Sequence, residues 1–292
     1  MTNSKTAAFY LLIVAALWGL TFPLIGESMT TQDPFLFVAL RFSLAALFVL
    51  PYFCRHLTKK IFIVGSILGV IQSIVFISQT IGLQTIDPSR AAFLTGINVL
   101  AVPFLSPLLK MGSPSRHDVL SAIICCTGIF ILTECDIGQV SRGDFWIIGG
   151  AIFIGLSIVY IGQQSKNDMN PFMLSYSQIV FTALFAWIPV IFFSDMNLVP
   201  FTSSQALTSL FICSIFATIL AITLQAKYQK YVSLQNAALI FSLEPVFAAV
   251  FDIILRDATP KIYTLIGGLV IMASIIYLEV WKPKEVIPQL KT

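Results

Sequence analysis

Charge is what this chain has least of. Its 17 Lys and Arg and 14 Asp and Glu make up 11% of 292 residues, against about 25% in soluble domains. With 57% hydrophobic residues and a mean hydropathy of +0.90, there is too little polar surface to cover a soluble fold. Histidine is nearly absent. His56 and His117 both fall in polar connections between apolar runs, so the interior offers neither a metal cluster nor a Ser/His catalytic arrangement. Cys54, Cys125, Cys126, Cys135 and Cys213 follow no metal-ligand or disulfide spacing and read as small packing residues. No Gly-rich phosphate loop is present, which argues against ATP as an energy source. Long polar loops are missing too, so no soluble domain is expected. These gaps argue against an enzyme, a bound metal or cofactor, and a nucleic-acid partner.

What fills the chain is apolar runs. Ten of them have roughly the 20 residues that a membrane span needs: 8–27, 35–54, 61–82, 91–109, 118–134, 145–163, 172–193, 206–226, 237–255 and 262–281. The turns between them carry Asp33-Pro34, Asp87-Pro88, Ser113-Pro114, Asn170-Pro171 and Thr259-Pro260. The first run is too long for a signal core and no small-residue cleavage site follows it, so it reads as a retained span. The lipid bilayer is the first expected partner; a monomer and a homodimer are both compatible with these runs. If the N-terminus is cytoplasmic, twelve loop Lys and Arg face inward and four, Arg90, Arg142, Arg256 and Lys261, face outward. That bias places both termini in the cytoplasm. A bacterial-type inner membrane is the expected location.

The ten spans are two sets of five. The stretch 236–260, NAALIFSLEPVFAAVFDIILRDATP, repeats the plan of 90–114, RAAFLTGINVLAVPFLSPLLKMGSP, at an offset of 146. Ala91-Ala92 falls on Ala237-Ala238, Asn98 on Glu244, and Ser113-Pro114 on Thr259-Pro260. Earlier in each half the offset is 137, matching Asp33-Pro34-Phe35 to Asn170-Pro171-Phe172. The longer loop after the seventh run absorbs the difference. Five is odd, so the second set enters the membrane from the opposite face. The predicted fold is all-α and integral to the membrane, with ten helices in two inverted five-helix repeats, 1–141 and 142–292. Inverted repeats of this kind are a transporter signature, with the substrate held where they meet.

Polar residues inside the runs obey the same offset. Gln72 and Gln79 are seven apart and share a helix face; 146 further on stand Thr218 and Gln225. With Asn98 and Glu244 they form three pairs predicted to line a central path. Each alone also reads as a residue that ties helices together. Glu244 is the sharpest of them. A charged carboxylate costs a few kcal/mol or more near mid-membrane, so such groups usually face a cavity. It is the candidate for proton coupling or for pairing with a cationic group on the substrate. Its alternative role is to stay protonated and bond a carbonyl freed by Pro245. Trp18 and Thr21 in the first run, and Tyr160 and Gln163 in the sixth, are further cavity candidates. Arg41 reads as structural, snorkelling or pairing with a helix end. Gly65-x-x-x-Gly69 and Gly267-Gly268 mark close helix approaches.

The segments WGLTFP, LRFSLAALF, RAAFLTGINVLAVPFLSPLL and LIFSLEPVFAAVF, in this order, resemble the drug/metabolite transporter superfamily in its ten-helix, two-repeat EamA branch. The resemblance covers nearly the whole chain. It implies a secondary transporter working by alternating access, commonly an exporter of amino acids or other small polar metabolites. It also implies a cavity lined by the first, third, fourth, sixth, eighth and ninth spans. Uptake or exchange of a nucleotide-derived metabolite or vitamin is the alternative within transport. An intramembrane enzyme or receptor is the alternative outside it.

Overall fold

The computed structural model describes residues 4–26, 29, 31–132, 140–167, 169–257, 259 and 262–281. The run ends Glu27 and Glu134, the turn residue Pro260, Cys135, and the loop charges Lys261, Lys282, Lys284 and Lys291 lie outside the described residues. Thirteen α-helices follow in order: α1 Ser4–Gly26, α2 Pro34–His56, α3 Lys59–Gly82, α4 Pro88–Gly96, α5 Asn98–Leu108, α6 Arg116–Leu132 and α7 Arg142–Lys166. Then come α8 Pro171–Phe193, α9 Ser204–Ser214, α10 Ala221–Tyr228, α11 Leu234–Phe241, α12 Glu244–Arg256 and α13 Ile262–Trp281. Among the described residues there is no strand. Pairs α4–α5, α9–α10 and α11–α12 each make one rod, so ten rods result. Among the described residues, eight of them are long and apolar enough to cross a membrane. The fold is that of an all-α integral membrane protein.

Local sequence explains where the rods begin. Asp33 and Asn170, matched at offset 137, both cap a helix that has Pro in its first turn. The Asp33 carboxylate accepts the Leu36 N–H at 2.8 Å, and the Asn170 side chain accepts the Phe172 N–H at 2.9 Å. These bonds hold N–H groups that lack an intrahelical partner, while Pro gives up no bond at that position. The breaks obey the repeat as well. One rod is interrupted between Gly96 and Asn98, the other between Phe241 and Glu244, again 146 apart. They touch: the Ser242 hydroxyl donates to the Gly96 carbonyl at 3.4 Å.

Packing partners exchange between the halves. α1 lies along α11–α12 and α10, and its counterpart α7 lies along α4–α5 and α3. The pairs α2–α8 and α6–α13 each join counterparts. This exchange is what two five-helix repeats facing each other must produce. One apolar cluster is built on α2, α3 and α8, with Phe37, Phe42, Ala45 and Ala186 at its centre. A second, on α1, α5, α6, α11 and α13, holds Leu11, Ile129, Leu239 and Phe241. Phe192, Phe193 and Leu108 are more than 70% exposed on the periphery, where lipid tails are the solvent that suits them.

Candidate functional site: a cavity between the two halves

The cavity lies where α1, α3, α7, α10, α11 and α12 converge, and it encloses about 500 Å³ including its open mouth. Six of the residues singled out from sequence surround it: Trp18, Thr21, Gln72, Gln79, Gln225 and Glu244. Each is brought there by its helix. Gln72 and Gln79 face inward from α3, as their seven-residue spacing requires. α1 reaches α12 through Gly19. A Cβ at that position would stand 2.8 Å from the Glu244 carbonyl and 2.9 Å from the Ala248 nitrogen, so only Gly permits this approach. It sets the Trp18 indole against Phe241, with ring centres 5.2 Å apart.

Glu244 is the first residue of α12 and is 6% exposed. Among the described residues no donor stands within hydrogen-bond distance of its carboxyl group. The alternative reading had it bonding a carbonyl freed by Pro245, and no such bond forms here. What faces it is the cavity, together with the positive end of the α12 dipole, which favours an anion at that point. Around it stand the amides of Gln72, Gln79 and Gln225 and the hydroxyls of Thr21 and Ser157. Gln79 Nε2 donates to the Thr95 hydroxyl at 3.4 Å, and Gln225 Nε2 donates to the Gln229 side chain at 3.0 Å. Gln225 Oε1 is buried with no partner.

Four of the named residues stand elsewhere. Asn98 turns its Nδ2 back onto the Thr95 carbonyl at 2.8 Å, closing the end of α4. Gln163 Nε2 donates to the Leu109 carbonyl at 2.8 Å, where α5 ends. Tyr160 packs against a small cluster that includes Val64 and Leu68 of α3. Thr218 sits in a π-helical turn, Ile215–Leu220, between α9 and α10. The wider turn breaks the 3.6-residue register, and its hydroxyl points to Arg41 at 2.9 Å. Arg41 itself neither snorkels nor meets a helix terminus; it is 2% exposed.

Val75, Phe76, Ile154, Ser157, Ile158 and Phe241 complete the lining. Part of this set was open to sequence reasoning. Phe76 is four residues from Gln72 and three from Gln79, on the same face of α3. Ser157 carries no such signal.

The sequence profile of the EamA-like transporter family matches residues 5–134 and again residues 141–279. The chain belongs to the EamA-like transporter family. An Archaeoglobus fulgidus protein named as an uncharacterized transporter is 30% identical over 267 residues, covering 91% of this chain and 83% of that one. A crystal structure superposes with a TM-score of 0.74 at 15% identity, over 94% of this chain and 96% of the other; it speaks for the fold alone. As a member of this family the chain is an integral membrane transporter, working on a small molecule within the bilayer.

Proposed function

We propose that this EamA-like protein is a secondary transporter that exports a small polar metabolite, an amino acid or related amine, by alternating access through the cavity. The observation that carries the reading is Glu244: a buried carboxyl group with no hydrogen-bond partner among the described residues, facing a cavity that also presents the amides of Gln72, Gln79 and Gln225 and the hydroxyls of Thr21 and Ser157. Amides donate to a carboxylate and accept from an amine. Glu244 supplies the one group able to take up or release a proton there. We further propose that 1–141 and 142–292 act as the two inverted halves in a bacterial-type inner membrane, with both termini cytoplasmic.

The test is Glu244→Gln in the purified protein reconstituted into liposomes, after a flux screen over amino acids, nucleosides and vitamins. Gln keeps the size and hydrogen bonding and removes the titrating proton. A proton-coupling Glu244 predicts that substrate exchange between equal pools persists while the response to a pH gradient disappears. A counter-ion to the substrate amine predicts that exchange itself fails. Behaviour like the parent in both assays refutes either role.

A second reading, uptake or exchange of a nucleotide-derived metabolite or vitamin, draws support from the aromatic walls. Trp18, Phe76 and Phe241 all face the cavity, and planar rings suit stacking on a flat heterocycle. Saturable nucleoside or vitamin flux, without amino-acid flux, in the same screen favours it.

A further inference from the structure

The cavity absorbs Trp18, Phe76 and Glu244 and leaves the buried charge of Arg41 unused. Arg41 lies in the interior of α2. Its Nε donates to the Thr218 hydroxyl at 2.9 Å, and its Nη2 to the Ala217 carbonyl at 3.5 Å. The guanidinium carbon stands 4.5 Å from the centre of the Phe76 ring. Among the described residues no carboxylate reaches ion-pair distance of it. A cation held in a membrane interior by neutral partners is expensive, and such groups are usually functional.

We propose that Arg41 is a positioning residue that sets two aromatic walls of the cavity, Trp18 and Phe76, from behind. The inference rests on the cavity being the substrate path. The link to Trp18 runs through a single atom. The Ala217 carbonyl accepts both Arg41 Nη2 and Trp18 Nε1, the latter at 3.0 Å. The π-helical turn makes that carbonyl available. In a regular helix the Ala221 N–H would take it; here that N–H goes to the Phe216 and Thr218 carbonyls instead. The same widened turn carries Thr218 towards Arg41, and the Thr218 hydroxyl donates in turn to the Cys213 carbonyl at 2.8 Å. A further tie holds α2 against this rod, since the Ser214 hydroxyl donates to the Arg41 carbonyl at 2.9 Å. The link to Phe76 is direct, the ring taking the cation at its face. Arginine suits the task because its planar fork serves two acceptors at fixed angles while its face lies on a ring; lysine offers a single point charge.

The experiment reads Trp18 itself in the full-length protein labelled with 5-fluorotryptophan and studied in lipid nanodiscs. Trp18→Phe assigns its fluorine resonance; Trp146 and Trp281, both exposed, serve as internal references. Arg41→Met is expected to shift or split the Trp18 resonance while the two references stay in place. Loss of the Arg41 hydrogen bond to the shared Ala217 carbonyl should raise the population of displaced indole positions roughly five-fold, the effect of losing one ordinary hydrogen bond. Arg41→Lys should recover part of the native position. Thr218→Val, which keeps the guanidinium but removes one acceptor, should shift the resonance less and in the same direction. A native Trp18 resonance in Arg41→Met, with only a lowered thermal midpoint, overturns the proposal. Should Arg41→Met fail to accumulate, a native resonance in Thr218→Val overturns it equally. No substrate enters this measurement, so its failure is distinct from any failure of the transport reading.

Discussion

The rods that bear the matched polar pairs, α3 and α9–α10, share a pattern and differ in backbone. α3 runs unbroken from Lys59 to Gly82, and both Gln72 and Gln79 reach the cavity. In the other rod the π-helical turn begins at Ile215, which stands 146 positions after Gly69. Only Gln225 reaches the cavity, and Thr218 serves Arg41. Gly69 lets α3 lie against α8: a Cβ there would come within 2.5 Å of Phe181 Cβ and 2.9 Å of the Thr182 nitrogen. With a close contact available, α3 stays regular. Where Ile215 stands in place of that Gly, the turn is widened, and its Ala217 carbonyl accepts from side chains of α1 and α2. Two copies of one plan have thus divided the work. One lines the cavity, and the other also holds its walls.

The comparison breaks most readily at Gly69. Gly69→Ala forces a methyl group onto backbone atoms of α8 and should destabilise the protein by about 1–3 kcal/mol. The fall would be seen in the thermal midpoint by heating and size-exclusion chromatography. Gly268→Ala meets only Val246 methyl groups at 3.6 Å and should stay within about 0.5 kcal/mol of the parent. Equal midpoints for the two variants would remove the close contact from the account of α3.

The shared part of the pattern is tested by flux. Gln79→Ala and Gln225→Ala should each weaken transport, by roughly five-fold if each amide makes one ordinary hydrogen bond to substrate. Cys125→Ala in α6, away from the cavity, should leave it unchanged. If all three variants transport alike, the glutamines only tie helices together.

The smallest effect is on activity, and the information is in the labelling. Ser203→Cys, at the start of α9, should react with a membrane-impermeant thiol reagent in intact cells. Ser115→Cys, before α6, should not. Both variants should transport normally. The reverse labelling pattern would invert the proposed orientation and with it the face from which each rod is entered.

Much of this molecule was legible because the repeat is written in residue types that backbone physics needs. Asp33 and Asn170 mark the same cap, each before a Pro. Asn98 and Glu244 mark the same break, since both helices restart there after a small or polar residue, Gly96 or Ser242. Gln72, Gln79 and Gln225 converge as their spacing demands. Thr218 escaped that logic because a π-helical turn has no signature in spacing. Asn98, Gln163 and Tyr160 escaped for a related reason. Each polar group takes the nearest unpaired carbonyl or packing slot, and a chain read in order shows no carbonyl left open by a helix end.

Sequence alone determined that the chain is a membrane-spanning helical repeat, because apolar run length and residue offset are one-dimensional quantities. It also singled out Glu244, since a carboxyl group in such a run is costly wherever the run lies. Only the tertiary structure decided what Arg41 does. Its partners, Thr218 and Ala217, lie more than 170 residues away. Arg41 meets them at a local widening of the helix, which residue spacing does not encode.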